Sequence, residues 1–187
     1  MAAADQDSLL RALAVMIVHR PRANLHELAN AVGVSKATLY RFAGTRDQLV
    51  DKVRCHCVDL LRVLIEEAKL DEDHPHVALG RLIDKFVEHR EFINFVLHHG
   101  RDDGNEAKDT WKPHQELLDV FFLRGQKSRA FRLDVPASYL CECFSALISG
   151  FAEADRNGRV ARASMREIIE KVMLTGIAGR EQDQVES

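Results

Sequence analysis

At 187 residues the chain can bury one sizeable helical body plus a small domain. Its ordinary composition, 46% hydrophobic and 29% charged, excludes a fibrous or low-complexity protein. No apolar run reaches the length of a membrane span. A net charge of −3 gives no sign of a nucleic-acid binder, but the distribution does. Residues 1–54 carry eight Lys/Arg against five Asp/Glu, and the remainder carries 18 against 24. A basic head on an acidic body fits a DNA reader with a separate regulatory part.

Four prolines and few runs of β-branched residues predict helix rather than sheet. Met1–Gln6 reads as a frayed start. Asp7 or Ser8 caps a first helix running to about Arg20, with Leu9, Leu10, Leu13, Met16 and Ile17 inward. Pro21 stops it. Asn24 then caps a short helix whose Leu25, Leu28, Ala29 and Val32 share a face, because its side-chain oxygen can accept an orphan amide N–H. Gly33 supplies the left-handed backbone of a helix end. Val34 plugs the angle, and Ser35 caps a second short helix over 36–42. Leu39 and Ala43 point inward from it, and Lys36, Thr38, Tyr40 and Arg41 point outward. Thr45 caps a third helix with Arg46 in its first turn.

Two short helices joined by a Gly-containing turn form a recognition unit, in which the second enters the major groove. Ser35, Lys36, Ala37, Thr38, Tyr40, Arg41 and Arg46 are its candidate DNA-binding residues. The outward donors suit phosphates, and Arg or Lys can also read guanine edges. The alternative is a helical hairpin that only packs. The apolar residues would serve either case, so the outward donors and the cap-turn-cap spacing are what favour DNA.

The stretch Leu28–Leu49 resembles the DNA-binding signature of the tetracycline-repressor-like (TetR) family. The matching positions are Leu28, Ala29, Val32, Gly33, Val34, Ser35, Thr38, Leu39, Tyr40, Arg46, Asp47 and Leu49. The resemblance implies an all-helical homodimeric repressor with a ligand-responsive C-terminal domain. In that family the first helix packs across the helix-turn-helix. One position departs: Ala43 stands where the family usually has an aromatic, most often Phe, and Phe42 stands where it has His or Tyr. A Phe42 ring turned inward would fill the space, and one turned outward would leave a cavity in the head.

The helix from Arg46 is predicted to run to about Leu70, with Leu49, Val50, Val53, Cys57, Leu60, Leu61, Leu64 and Ile65 at helical spacing. Asp71–Pro75 is a polar break. A second long helix spans Pro75 to about His99, bent near His89–Glu91. Gly100–Asn105 is a loop. Ala107 to about Gln126 is helical with a break at Pro113. Pro136 opens a helix ending near Gly158, and Ser164 caps a last one with Met165, Ile168, Ile169, Val172, Met173 and Ile177 inward or at an interface. Residues 179–187 read as a disordered tail. The domains expected are 1–54 for DNA and 55–178 for effector binding and dimerisation.

The broad stripes of the last two helices, with small Ser145, Ser149 and Gly150, predict a homodimer through that pair. One recognition helix reads only a half-site, so a two-fold protein matches a palindromic operator. An effector pocket is expected among the middle helices, with Phe92, Phe95, Trp111, Phe121 and Tyr139 as tentative lining. Each of these aromatics also fits a plain core role.

Other chemistry finds little support. Cys55 and Cys57, like Cys141 and Cys143, lie about 200° apart on a helix, and His98 and His99 diverge, so no metal site is expected. The N-terminus shows no secretory leader, which predicts a cytoplasmic protein with reduced thiols. A redox switch at Cys55 or Cys57 would need an exposed low-pKa thiol. No Gly-rich phosphate loop, nucleophile elbow or carboxylate pair points to an enzyme, and no cofactor is expected. The sequence thus reads as an all-α, ligand-responsive DNA-binding regulator, a repressor released from its operator by a small molecule. The alternative is a small-molecule-binding helical protein with a degenerate DNA head.

Overall fold

The computed structural model describes residues 3–99 and 111–177. Among these residues the regular elements are helices, as the all-α expectation requires: α1 (Ala3–His19), α2 (Leu25–Ala31), α3 (Lys36–Ala43), α4 (Arg46–Ala68), α5 (Pro75–Glu88), α6 (Arg90–His99), α7 (Lys112–Lys127), α8 (Ala137–Arg156) and α9 (Arg162–Ile177). The loop expected at Gly100–Asn105, the helix start at Ala107 and the tail at 179–187 lie outside the described residues. The chain divides into two compact units: Met1–Leu61 with Glu91–Trp111, and Arg62–Arg90 with Lys112–Ser187. One division falls within α4 and another at the start of α6.

In the first unit, α1 begins at Ala3 rather than at Asp7 or Ser8. Alanines need no cap to enter a helix, so the acidic and serine residues that looked like caps sit inside it. Leu13, Ala14 and Ile17 of α1 are fully buried, with Leu28 and Ala29 of α2, Leu39 of α3 and Leu49 and Val53 of α4. Each such Leu or Ile contributes about 1.5–3 kcal/mol by leaving water. α2 packs on both α1 and α3. On α6, Phe92, Ile93, Phe95 and Val96 are buried. Arg11 of α1 meets Glu91 of α6 at 2.9 Å, and its guanidinium lies 4.8 Å from the centre of the Phe92 ring.

In the second unit, α5 packs against α7, α8 and α9, and α8 packs against both α7 and α9. His74 caps α5, and Pro75 occupies the first turn, where a missing N–H costs nothing. The expected bend near His89 is a break: α5 ends at Glu88 and α6 starts at Arg90. Pro113 does not interrupt a helix, because α7 begins at Lys112 and the proline lies in its opening turn. Ser164 does not cap α9, which begins at Arg162; the Ser164 N–H donates to Ala161 O at 3.0 Å. Phe86, Phe122, Phe131 and Phe144 form the aromatic core, with ring centres 5.3 Å apart for Phe86–Phe144 and 5.8 Å for Phe122–Phe131. Buried Arg90, the first residue of α6, donates from Nε to Asp155 of α8 at 2.9 Å. Met165, Ile169 and Met173 of α9 are buried.

Candidate nucleic-acid interface

The caps that define the helix-turn-helix are formed. Asn24 Oδ1 accepts from the N–H groups of His26 and Glu27, at 2.9 and 3.0 Å, and Glu27 Oε2 accepts from Asn24 N at 2.8 Å. This reciprocal box fixes where α2 starts. At its other end Gly33 takes φ +74°, and Val34 N reaches back to Ala29 O at 3.0 Å. Ser35 Oγ then accepts from Thr38 N at 3.0 Å and starts α3. The chain is thereby turned within four residues, with few conformations left to choose from.

α3 buries Leu39 and Ala43 and turns Lys36, Ala37, Tyr40 and Arg41 to solvent. Tyr40 is 62% exposed, a high value for a large aromatic with no polar reason to leave the core other than its hydroxyl. Ser35 and Thr38 are less free: their hydroxyl oxygens lie 2.8 Å apart, so each already holds the other. The exposed face of α3 therefore presents an ammonium, a phenol and a guanidinium around a methyl group, a set able to donate to phosphates and base edges.

Arg46 is placed differently from these. Its Nε donates to Ala23 O at 2.9 Å and its Nη2 donates to Pro21 O. The guanidinium joins the α1–α2 turn to the start of α4. Thr45 and Gln48 form a second reciprocal box at that start, with Thr45 N to Gln48 Oε1 at 2.9 Å and Gln48 N to Thr45 Oγ1 at 3.2 Å.

Sequence reasoning missed Lys52. Its ammonium donates to Phe42 O at 2.6 Å and lies 4.7 Å from the centre of the Phe42 ring. It thus satisfies a carbonyl at the C-terminal end of α3, where a cation is favoured. Phe42 is half-buried rather than turned fully into the core, and the buried residue is Ala43. The signal was present in the spacing: Thr45, Gln48 and Lys52 recur on one face of α4, the face that carries the contacts to the end of α3.

The five aromatics expected to line an effector pocket are divided between the units. Phe92, Phe95 and Trp111 are buried in the first. The His56 ring stands edge-on to Phe92 at 5.0 Å, and His99 lies 4.8 Å from Phe95. Burial lowers the His99 pKa below the usual imidazole value, and the charges of His98, Arg54 and Arg46 lower it further. Phe121 is buried in the second unit against Phe122 and Phe131, whereas Tyr139 of α8 is 66% exposed. Of the cysteines, Cys57 and Cys141 are buried and Cys55 and Cys143 are exposed thiols. Among the described residues, no group of three or more His, Cys, Asp or Glu is arranged to hold a metal ion, and no helix is long and apolar enough to cross a membrane.

A capped two-helix turn with a basic, solvent-facing second helix defines the helix-turn-helix class of regulators. Comparison with known proteins narrows this. The chain is 43% identical over 175 residues to the HTH-type transcriptional regulator NfxB of Pseudomonas aeruginosa, covering 91% of this chain and 92% of that one. Two solved structures share its fold. The TetR-like transcriptional regulator LfrR from Mycobacterium smegmatis, in complex with proflavine, aligns at 21% identity over 94% of this chain and 98% of that one, with a TM-score of 0.69. The ketosteroid transcriptional regulator KstR2 of Mycobacterium tuberculosis aligns at 15% identity over 96% and 98%, with a TM-score of 0.70. No protein-family model matches the chain. The chain belongs to the family of HTH-type transcriptional regulators that includes NfxB, and its fold is that of the TetR-like regulators.

Proposed function

We propose that this regulator is a homodimeric repressor that holds a palindromic DNA operator and releases it when a small molecule binds. The observation that carries the reading is the face of α3, where Lys36, Tyr40 and Arg41 stand exposed on a helix fixed at both ends, by Ser35 and by Lys52. In this reading residues 1–54 form the DNA-binding head, with Ser35, Lys36, Ala37, Thr38, Tyr40 and Arg41 in the major groove. Arg46 acts on the same surface by bracing the α1–α2 turn. Residues 55–178 carry the effector and dimer contacts.

The effector role is assigned to the aromatics of the first unit, Phe92, Phe95 and Trp111, supported by their aromatic character and by LfrR, a relative in fold bound to proflavine, whereas Phe121 and Tyr139 belong to the other unit. The last two helices, α8 and α9, join the copies in this reading. Its support there is the exposure of Tyr139, Cys143 and Ala146 on α8 and of Val172 on α9. The site of action is the cytoplasm, and the role needs no catalysis and no cofactor. A ligand that prefers the conformation with the wrong head spacing draws the protein off DNA by its difference in affinity.

Selection of bound duplexes from a random pool tests this. The expected product is an inverted repeat whose half-sites lie about one helical turn, or a multiple of it, apart. Recovery of no enriched sequence would contradict the DNA-reading assignment, and an enriched sequence without two-fold symmetry would contradict the dimer.

A further inference from the structure

Of the eight Lys/Arg in residues 1–54, four are engaged within the first unit. Arg11 pairs with Glu91 at 2.9 Å and Arg54 with Asp51 at 3.0 Å. Lys52 donates to Phe42 O at 2.6 Å, and Arg46 donates to the carbonyls of Ala23 and Pro21. The side chains of the other four, Arg20, Arg22, Lys36 and Arg41, are exposed and make no hydrogen bond or ion pair with any described residue. Lys36 and Arg41 belong to the face of α3 already read as a DNA surface. Arg20 and Arg22 flank Pro21 in the turn between α1 and α2.

That turn is built more firmly than a connector requires. Ala23 N donates to Arg20 O at 2.9 Å, closing a four-residue turn. Pro21 holds its second position, where the fixed φ of proline is the one needed. Ala23 is buried and anchors the end of the turn. Arg46 then donates from Nε to Ala23 O at 2.9 Å and from Nη2 to Pro21 O. The backbone is thus fixed from two sides, while the two arginine side chains are left in solvent. The acids that flank it in sequence and in space are occupied elsewhere. Glu27 Oε2 accepts from Asn24 N at 2.8 Å, and Asp47 lies 3.6 Å from Arg46.

The brace also sets where the turn lies. Arg46 is the first residue of α4, and only Gly44 and Thr45 separate it from Ala43 at the end of α3. The turn is therefore a neighbour of the C-terminal end of α3, a helix only about 12 Å long. A recognition helix reads base edges chiefly from its N-terminal residues, while the elements around it meet the backbone.

We propose that the turn Arg20–Ala23 is a second DNA contact, at which Arg20 and Arg22 bind phosphates of the backbone beside the groove that α3 enters. This rests on the reading of α3 as the DNA-reading helix. It adds a site that carries affinity and no sequence information. Guanidinium groups donate in a planar fork that matches phosphate oxygens. Because the backbone is already fixed, only two side chains have to be ordered on binding. Arg46 thereby serves the contact from behind, without touching DNA.

Binding over stepped salt tests it, with the selected duplex and a scrambled duplex of the same length. The wild type is compared with an Arg20→Ala, Arg22→Ala variant and an Arg20→Lys, Arg22→Lys variant. Neither side chain has a partner to lose, so thermal melting should match the wild type. The alanine variant should bind both duplexes about ten- to a hundredfold more weakly near about 0.1 M salt, with its preference between them kept. Its salt slope should fall by about 2 per head. The lysine variant should hold the wild-type slope, since it is charge that releases counterions. An alanine variant with wild-type affinity and slope would overturn the second contact while leaving α3 standing, and so would weaker binding with an unaltered slope. A lost preference for the selected duplex would make the two arginines base readers and overturn the phosphate assignment. A wild type that binds neither duplex would overturn the reading of α3 and the turn contact with it.

Discussion

Arg46 Nε donates to the carbonyl of Ala23 at 2.9 Å, and the same guanidinium reaches the carbonyl of Pro21. One side chain therefore connects the turn after α1 to the first residue of α4, across the base of the helix-turn-helix. Replacing Arg46 with Ala removes a charged donor from two carbonyls, at an expected cost of about 1–3 kcal/mol in urea unfolding. DNA affinity should fall as well. However, the slope of log affinity against log salt should stay at the wild-type value, because no phosphate contact is lost. Lys36→Ala or Arg41→Ala should each reduce that slope by about 1. A reduced slope in Arg46→Ala would make it a phosphate ligand instead.

The start of α3 depends on one hydroxyl. Ser35→Ala leaves Thr38 N without its acceptor, and about 1 kcal/mol of stability should be lost. Hydrogen exchange should quicken at Thr38 while the amides of α8 keep their protection apart from the global shift. Uniform acceleration in proportion to global stability would mean the cap has no local role.

Much of this head was legible in the sequence because its geometry is local. Asn24, Gly33, Ser35 and Thr45 each act within four residues, and such signals survive without knowledge of the tertiary fold. Burial of Leu39 and exposure of Tyr40 likewise follow from helical periodicity. Arg46 was legible only as a charge. Its carbonyl partners lie 23 and 25 residues earlier, and no periodicity relates them. The aromatic residues were harder still. Phe92 and Phe121 show the same kind of apolar spacing, yet 91–111 clusters with the N-terminal unit and Phe121 with the other. Periodicity tells which face of a helix is apolar, but not which unit receives it. For Tyr139, the hydroxyl allows either a core or a surface place, and the chain uses the surface.

Gly125 on α7 is a packing glycine. A Cβ built there would come within 2.0 Å of the Phe131 ring, which the chain folds back over α7 through Phe131 N to Gly125 O at 3.1 Å. Gly125→Ala must displace a buried ring in a close-packed core. The expected loss is about 1–3 kcal/mol in chemical denaturation, with a change in the phenylalanine bands of the near-ultraviolet dichroism. An unchanged midpoint would show that the loop at 128–131 relaxes freely.

Cys57 is fully buried, and burial pushes its thiol well above the usual range near 9. A raised pKa in the folded state means the unfolded chain gives up this proton first. Stability from this group is therefore complete below about pH 9 and declines above it, by up to about 1.4 kcal/mol per pH unit. Cys57→Ala should be less stable at neutral pH through the cavity it leaves, and its stability should fall less steeply between pH 9 and 10.5. In the native protein, an aromatic disulfide reagent should label Cys55 quickly and Cys57 only on unfolding. Rapid labelling of Cys57 at pH 8 would contradict its burial.

The central claim, that the exposed face of α3 reads DNA, is tested most directly by binding to the selected duplex and to a scrambled duplex of the same length over stepped salt. The wild type is compared with a Lys36→Ala, Arg41→Ala double variant. The account predicts that the wild type prefers its selected sequence by about a thousandfold or more. The double variant should lose most of that preference, with its salt slope reduced by about 2. Equal affinity of the wild type for both duplexes, or an unaltered preference and slope in the double variant, would contradict it.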